Sequence, residues 1–142
     1  MKERVLLIDD EPEFLDIMAK RMRIRDMDVT TSTSAAEAMS LIDTEAYDAV
    51  VMDFMMPGVD GIATLKRIKE KRPDMQIIML TGYATIQKGV EAMKAGAMDF
   101  IEKPADLDAL SEKIKTANTQ KAVIVEKQNR DRIIEVLRKG GE

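Results

Sequence analysis

Short apolar runs that alternate with stretches of helical periodicity constrain the fold of this chain most strongly. The run RVLLI at residues 4–8 is apolar at almost every position, which is typical of a strand buried on both faces. A helical pattern follows it, with Phe14, Leu15, Met18 and Met22 at helical spacing and Pro12 in the first turn. The same alternation predicts strands over residues 4–8, 27–31, 48–52, 76–80 and 99–102. It predicts helices over residues 12–25, 34–45, 60–71, 83–95 and 107–117.

Five strand–helix units with short connections indicate a particular α/β architecture. Strands buried on both faces need helices on each side of a parallel sheet. Right-handed crossovers make that sheet doubly wound. The ligand site of such a sheet lies outside the carboxyl ends of its strands. We therefore expect the functional residues to follow directly after strands.

The composition excludes several kinds of chemistry. The chain has 142 residues and contains neither cysteine nor histidine. Disulfides, thiolate sites, imidazole ligands, a Ser-His-Asp triad and a phosphohistidine intermediate are therefore excluded within this chain. A bound metal must be held by oxygen, which favours Mg²⁺, Mn²⁺ or Ca²⁺.

Net charge and hydropathy indicate the cellular location of the chain and the partners that it does not bind. The formal net charge of −4 weighs against nonspecific binding of nucleic acid. No apolar run is long enough to cross a bilayer, and the apolar start is too short for a signal peptide. We expect a cytoplasmic protein that does not bind a membrane.

The last part of the chain differs from the rest. Residues 1–118 are predicted to form one domain, and residues 119–142 a helical extension with no strand partner. Residues 118–142 carry 6 basic and 4 acidic side chains and no aromatic residue. Mixed charges are typical of an exposed or dimerising helix. Binding of nucleic acid is the less favoured alternative.

Chemically capable side chains follow four of the five predicted strands. Asp9, Asp10 and Glu11 come after the first, Asp53 after the third, Thr81 and Gly82 after the fourth, and Lys103 after the fifth. Each residue alone is an ordinary cap or loop residue. Together they place three mutually repelling carboxylates at one edge, and a hard divalent cation relieves that repulsion.

Asp53 is then placed to attack phosphorus as a carboxylate nucleophile. The cation, the Lys103 ammonium, and the Thr81 hydroxyl with nearby backbone N–H groups would compensate the charge on the phosphoryl oxygens.

These residues lie in stretches that resemble the receiver domains of two-component response regulators. The matching stretches are VLLIDDE, VVMDFMMPGVDG, IIMLTGYA and DFIEKPADLDAL. The run TGYATIQKGVEAMKAGAMDFIEKP resembles in particular the receivers of sigma-54-dependent activators. The resemblance implies a flavodoxin-like sheet of strand order 2-1-3-4-5.

The resemblance also implies a role for each site residue. Asp10 would bind Mg²⁺, or Mn²⁺, directly and Asp9 mostly through water, and Asp53 and the Met55 backbone carbonyl would complete the protein ligands. Asp53 would be the phosphoacceptor. Thr81, Lys103 and the Gly82 backbone would contact the phosphoryl group, and the Lys103–Pro104 peptide would be cis.

Switching and partners follow from the same resemblance. Phosphorylation would draw in the Thr81 hydroxyl and turn Phe100 inward. Ordinary core packing is the less favoured alternative for Phe100. The changed surface would be the fourth helix, fifth strand and fifth helix, at residues 83–117, used toward a partner or a second copy. The C-terminal helix is a second candidate for a homodimer contact. The phosphodonor would be a sensor histidine kinase or a phosphotransfer protein.

The phosphoryl group is expected to persist. Met55 and Tyr83 flank the expected path of hydrolytic water, and neither is an amide or carboxylate that could orient water well. We expect self-dephosphorylation over minutes or longer.

Two other function classes remain open from sequence. One is a phosphatase or phosphotransferase with an aspartyl intermediate, resembling haloacid dehalogenases. Those enzymes place Asp-x-Asp after the first strand, whereas this chain has the adjacent pair Asp9 and Asp10 there. The other is a dimerisation module that uses the tail, in which phosphorylation has no role. The complete set of Asp53, Thr81 and Lys103 favours a signalling switch over both alternatives. We therefore do not expect a turnover enzyme.

Overall fold

The fold is a five-stranded parallel sheet with helices on both faces. The computed structural model describes residues 2–82 and 85–140. The strands are β1 (Arg4–Ile8), β2 (Asp28–Ser32), β3 (Ala49–Asp53), β4 (Ile77–Thr81) and β5 (Asp99–Glu102). The helices are α1 (Pro12–Ile24), α2 (Ala35–Thr44), α3 (Gly61–Lys71), α4 (Ile86–Lys94) and α5 (Leu107–Gly140). The strand order is β2-β1-β3-β4-β5 and every pair is parallel, which confirms the predicted doubly wound fold.

Alternate residues of each central strand enter two different cores. Leu6, Val50 and Ile77 pack in a core with α2 and α3. Their neighbours Leu7 and Val51 pack on the opposite face with α1 and α5. Because side chains alternate across a sheet, both layers of helices need apolar residues from every central strand. This explains why the strands are continuously apolar.

Three strands begin and end one residue later than predicted. The second, third and fourth strands were predicted over residues 27–31, 48–52 and 76–80, and lie at 28–32, 49–53 and 77–81. Asp53 pairs with Leu80, and Thr81 pairs with Glu102, as the last residues of β3 and β4. The ladder is made by backbone groups, so a polar side chain does not end it. The two site residues are therefore fixed in the sheet itself.

Side-chain caps set the helix starts. The predicted N-cap Ser34 accepts from the Glu37 backbone N–H at 3.3 Å. Thr85 accepts from Lys88 N–H at 3.1 Å, so α4 begins at Ile86 and not at the predicted residue 83. Tyr83 lies outside the described residues.

The last helix continues past the predicted domain boundary. α5 runs from Leu107 to Gly140 without a break, so the predicted extension continues the fifth helix. Leu110, Ile114 and Ala117 are fully buried against the sheet. Of the side chains described beyond Asn118, every one except Ile124 is exposed. None of the helices within residues 2–82 and 85–140 combines the length and apolarity needed to span a membrane.

Candidate functional site

The carboxyl ends of β1, β3, β4 and β5 bring the predicted site residues to one edge. Asp53 and Thr81 end their strands, and Asp9 and Lys103 directly follow theirs. The Asp9 N–H donates to the Ser32 carbonyl at 3.1 Å, and the Lys103 N–H donates to the Thr81 carbonyl at 2.7 Å. Backbone pairing therefore continues to the residues that carry the side chains. Their positions depend on the sheet and not on a loose loop.

Three carboxylates meet at this edge. Asp9, Asp10 and Asp53 each present an oxygen, and these oxygens lie within 4.8 Å of one another. Asp9 is 1% exposed and Asp53 6% exposed. Carboxylate oxygens at this spacing are the donors that Mg²⁺ and Mn²⁺ prefer. The residues present therefore fit a hard divalent cation.

One oxygen of each buried carboxylate is oriented by the backbone. Asp9 Oδ1 accepts from the Glu11 N–H at 2.9 Å, and Asp53 Oδ1 accepts from the Met55 N–H at 3.0 Å. The second oxygens face Lys103, whose Nζ lies 2.6 Å from Asp9 Oδ2 and 3.5 Å from Asp53 Oδ2. The ammonium therefore bridges two carboxylates from different strands.

Lys103 has two further neighbours to which the sequence analysis gave no role in the site. Glu11 Oε1 lies 3.9 Å from Nζ. Nζ also lies 4.2 Å from the centroid of the Phe14 ring. Phe14 was predicted only as part of the apolar face of the first helix. Its position in the first turn after the acidic strand end was the available signal.

Burial and neighbouring groups shift the pKa values of Asp53 and Lys103. Burial raises the pKa of Asp53, with further increases from Asp9 and Asp10. The Met55 N–H and the Lys103 charge oppose that rise in pKa. Burial acts to lower the pKa of Lys103, but the Asp9 hydrogen bond and the charges of Asp53, Asp9 and Glu11 outweigh it and raise that pKa. Lys103 is therefore kept as a cation, whereas ionisation of Asp53 costs free energy in the folded protein.

An open cleft of about 420 Å³ leads to Asp53. It is lined by Glu11, Asp53, Met55, Thr81, Gly82, Lys88 and Lys103. Met55 is 54% exposed, so its side chain lies at the solvent side of the cleft. The structure thus brings the predicted Thr81, Gly82 and Met55 to the cleft, and adds Lys88 from the first turn of α4. A cation in that turn, seven residues after Thr81, was the available signal.

Phe100 lies beside the site and not in it. The residue is half-buried on β5, and its ring meets the Phe54 ring edge-on, with centroids 5.8 Å apart and an angle of 89° between the planes. Phe54 directly follows Asp53 at the end of β3, so the two rings link β3 to β5. The Lys103–Pro104 peptide bond is cis.

A doubly wound parallel sheet with an acidic cluster and a lysine at its carboxyl edge defines the receiver class of signalling domain. The family model of the response regulator receiver domain matches residues 5–115, and the chain belongs to that family. Receiver domains are signalling phosphoacceptors and not classical enzymes, and they bind Mg²⁺ in an acidic pocket.

The chain is similar to the receiver part of larger regulators. It is 34% identical over 113 residues to the transcriptional regulatory protein ZraR of Salmonella typhimurium. The aligned segment covers 80% of this chain and 26% of that protein. It is 31% identical over 136 residues to the C4-dicarboxylate transport transcriptional regulatory protein DctD of Rhizobium meliloti, covering 96% of this chain and 30% of that protein. The chain therefore spans less than a third of these relatives. They agree with the resemblance seen in the sequence.

Solved structures of receivers show the same fold. A CheY-like receiver domain protein of Methanospirillum hungatei superposes with a TM-score of 0.80 at 30% identity, covering 86% of this chain and 98% of that chain. The beryllofluoride-activated NtrC4 receiver domain dimer superposes with a TM-score of 0.78 at 30% identity, covering 83% of this chain and 98% of that chain.

Proposed function

We propose that this chain is a phosphorylation-activated switch that accepts a phosphoryl group on Asp53 in a Mg²⁺-dependent reaction. One observation carries the proposal: Asp9, Asp10 and Asp53 share a site within 4.8 Å, and Lys103 Nζ lies 3.5 Å from Asp53. A nucleophile, a cation site and a fixed positive charge are thereby combined at the end of one cleft. Mn²⁺ is expected to replace Mg²⁺.

The transfer requires one carboxylate oxygen of Asp53 to attack phosphorus while the bond to the donor's leaving group breaks. The Met55 N–H fixes Oδ1, so Oδ2 is the oxygen that faces Lys103. Asp9, Asp10, Asp53 and the Met55 carbonyl would hold the metal, which when bound neutralises phosphoryl charge as a Lewis acid. Lys103, the Thr81 hydroxyl and the Gly82 N–H would bind the other phosphoryl oxygens.

The phosphodonor must come from outside this chain, because the sequence contains no histidine. A sensor histidine kinase or a phosphotransfer protein is the proposed macromolecular donor. The cleft is open, so a small phosphodonor can also reach Asp53. The proposed location is the cytoplasm, with no membrane or nucleic acid as partner of this chain.

The proposed readout surface is formed by α4, β5 and the start of α5. Ile86, Val90 and Met93 are 89%, 46% and 48% exposed along one side of α4. Ile86 and Met93 line a groove between α4 and β5 together with Phe100. Movement of Phe100 would therefore change an apolar surface that a partner or a second copy could bind. The NtrC4 receiver dimer supports self-association as one output.

The C-terminal part of α5 is the second proposed dimer contact. We place the end of the receiver domain at residue 118 and treat residues 119–142 as the extension. Asn118 supports this boundary, because its side-chain amide donates to Asp48 Oδ1 at 2.7 Å at the opposite end of the sheet from the cleft. Beyond it, Ile133, Val136 and Leu137 are 60%, 64% and 69% exposed.

Incubation with acetyl phosphate and Mg²⁺, followed by intact-mass measurement, tests the proposed function. We expect a single phosphoryl adduct that is absent with Asp53→Asn and absent when the metal is chelated. Turnover of the donor without an adduct would instead indicate a phosphatase. Absence of any reaction, together with dimerisation through the tail, would indicate a purely structural module. Size-exclusion chromatography of the adduct, with and without residues 119–142, then measures the output.

A further inference from the structure

The Phe14 ring contacts the ammonium that faces the phosphoacceptor. Phe14 is the third residue of α1, and Lys103 Nζ lies 4.2 Å from its ring centroid. The Lys103 side chain is 15% exposed, so this contact is largely withdrawn from solvent. A cation at this distance over an aromatic face is attracted by the ring quadrupole, and more strongly where water is excluded.

The ring differs from the other partners of Lys103 in what else it can bind. Nζ contacts Asp9 at 2.6 Å and Asp53 at 3.5 Å, and both residues belong to the acidic cluster. A divalent cation in that cluster would take charge from both carboxylates and would repel the ammonium. Glu11 Oε1 lies 3.9 Å from Nζ, but that side chain is 67% exposed, so solvent screens its attraction for the ammonium. Among the contacts of Nζ in the described residues, the ring is therefore the one that neither a metal in the acidic cluster nor solvent screening weakens.

We propose that Phe14 is a positioning residue that keeps Lys103 Nζ beside Asp53 while a metal occupies the acidic cluster. The inference rests on the proposed function, since it assigns the ring a part in phosphoryl transfer. In this role the ring would touch neither the phosphoryl group nor the metal. It acts through Lys103, which it holds close to the site that the phosphoryl oxygens will occupy.

Phosphorylation kinetics of Phe14 variants provide the first test. Phe14→Leu keeps an apolar side chain and removes the aromatic face. At saturating acetyl phosphate and Mg²⁺, we expect it to slow phosphorylation of Asp53 about fivefold with little change in the donor concentration at half-maximal rate. Phe14→Tyr keeps the aromatic face and should react within about twofold of the wild type. Equal rates for Phe14→Leu and the wild type would overturn the proposal.

Leu15→Val is the matched control for packing. Leu15 lies in the same turn, is 3% exposed and packs in the α1–α5 core. Its truncation should lower the free energy of unfolding and leave the phosphorylation rate unchanged. If Leu15→Val slowed the reaction as much as Phe14→Leu, the ring would have only a structural role and the inference would fail.

A double-mutant cycle tests whether the ring acts through Lys103. In a Lys103→Gln background, slow residual phosphorylation should be insensitive to Phe14→Leu, because the ammonium is already gone. A fivefold loss in that background, equal to the loss in the wild type, would contradict the proposal.

The contact itself is measurable without any phosphorylation. The Phe14 ring should shift the ¹H resonances of the Lys103 ε-methylene upfield in NMR spectra, and Phe14→Leu should abolish the shift. The proposal requires the shift to persist at saturating Mg²⁺, and its disappearance on adding Mg²⁺ would refute the inference. This result stands apart from the proposed function: an unphosphorylated wild type would refute that function, whereas the methylene shift reports only on the ring.

Discussion

Removal of one charge from the acidic cluster should stabilise the metal-free protein. Asp53 faces Asp9 and Asp10 within 4.8 Å and Lys103 at 3.5 Å. At an effective dielectric constant of about 20, each repulsion costs about 3.5 kcal/mol and the attraction contributes about 5 kcal/mol. The charge on Asp53 is therefore unfavourable by about 2 kcal/mol, and burial adds to this cost.

Asp53→Asn removes the charge and keeps the shape of the side chain. The amide oxygen can still accept from the Met55 N–H, which in the wild type donates to Asp53 Oδ1 at 3.0 Å. We expect the metal-free variant to be more stable than the wild type by about 2 kcal/mol, with a melting temperature higher by roughly 4–8 °C. The sign is opposite to that of an ordinary buried substitution.

Urea denaturation with and without Mg²⁺ measures the effect. Wild-type stability should rise with Mg²⁺ concentration by linkage, whereas Asp53→Asn should respond much less because it removes one of the three carboxylates proposed to hold the metal. Asp43→Asn is a matched control, since Asp43 is 50% exposed and pairs only at the surface with Lys71. A metal-free Asp53→Asn protein less stable than the wild type would refute the electrostatic reasoning.

Three more predictions concern pH, packing and lifetime. The folded-state pKa of Asp53 is raised above its ordinary value of 3.8. The ionised Asp53 carboxylate therefore lowers the free energy of unfolding at pH values above that raised pKa, and this loss of stability is relieved as the pH falls through it. The stability difference between Asp53→Asn and the wild type should therefore shrink from neutral pH toward about pH 4, and a constant difference in urea titrations would contradict this. Gly61→Ala should lower the free energy of unfolding by about 1–3 kcal/mol, because the added Cβ would lie 2.5 Å from the Phe54 carbonyl oxygen; an unchanged urea midpoint would show that the backbone yields there. The aspartyl phosphate should persist for minutes or longer, because exposed Met55 cannot orient water; a lifetime of seconds by intact mass would contradict this.

The sequence alone determined the architecture and the membership of the site. Continuously apolar strands and periodic helices are local patterns, and in a doubly wound sheet they leave few topologies. The rule that strand ends share an edge then brought Asp9, Asp53 and Lys103 together without coordinates. These predictions needed only local sequence patterns and the rule that parallel strands end at a shared edge.

Tertiary structure decided how those residues contact one another. Lys103 is 94 residues from Asp9, and no local pattern specifies that Nζ lies 2.6 Å from that carboxylate and 3.5 Å from Asp53. The Phe14 contact was hidden for the same reason, since an aromatic residue on an apolar helix face predicts core packing. Backbone pairing also carried Asp53 into β3, because hydrogen bonds between strands do not depend on side-chain polarity. Periodicity records which face of an element is buried, whereas contacts between elements depend on distances that exist only once the sheet has formed.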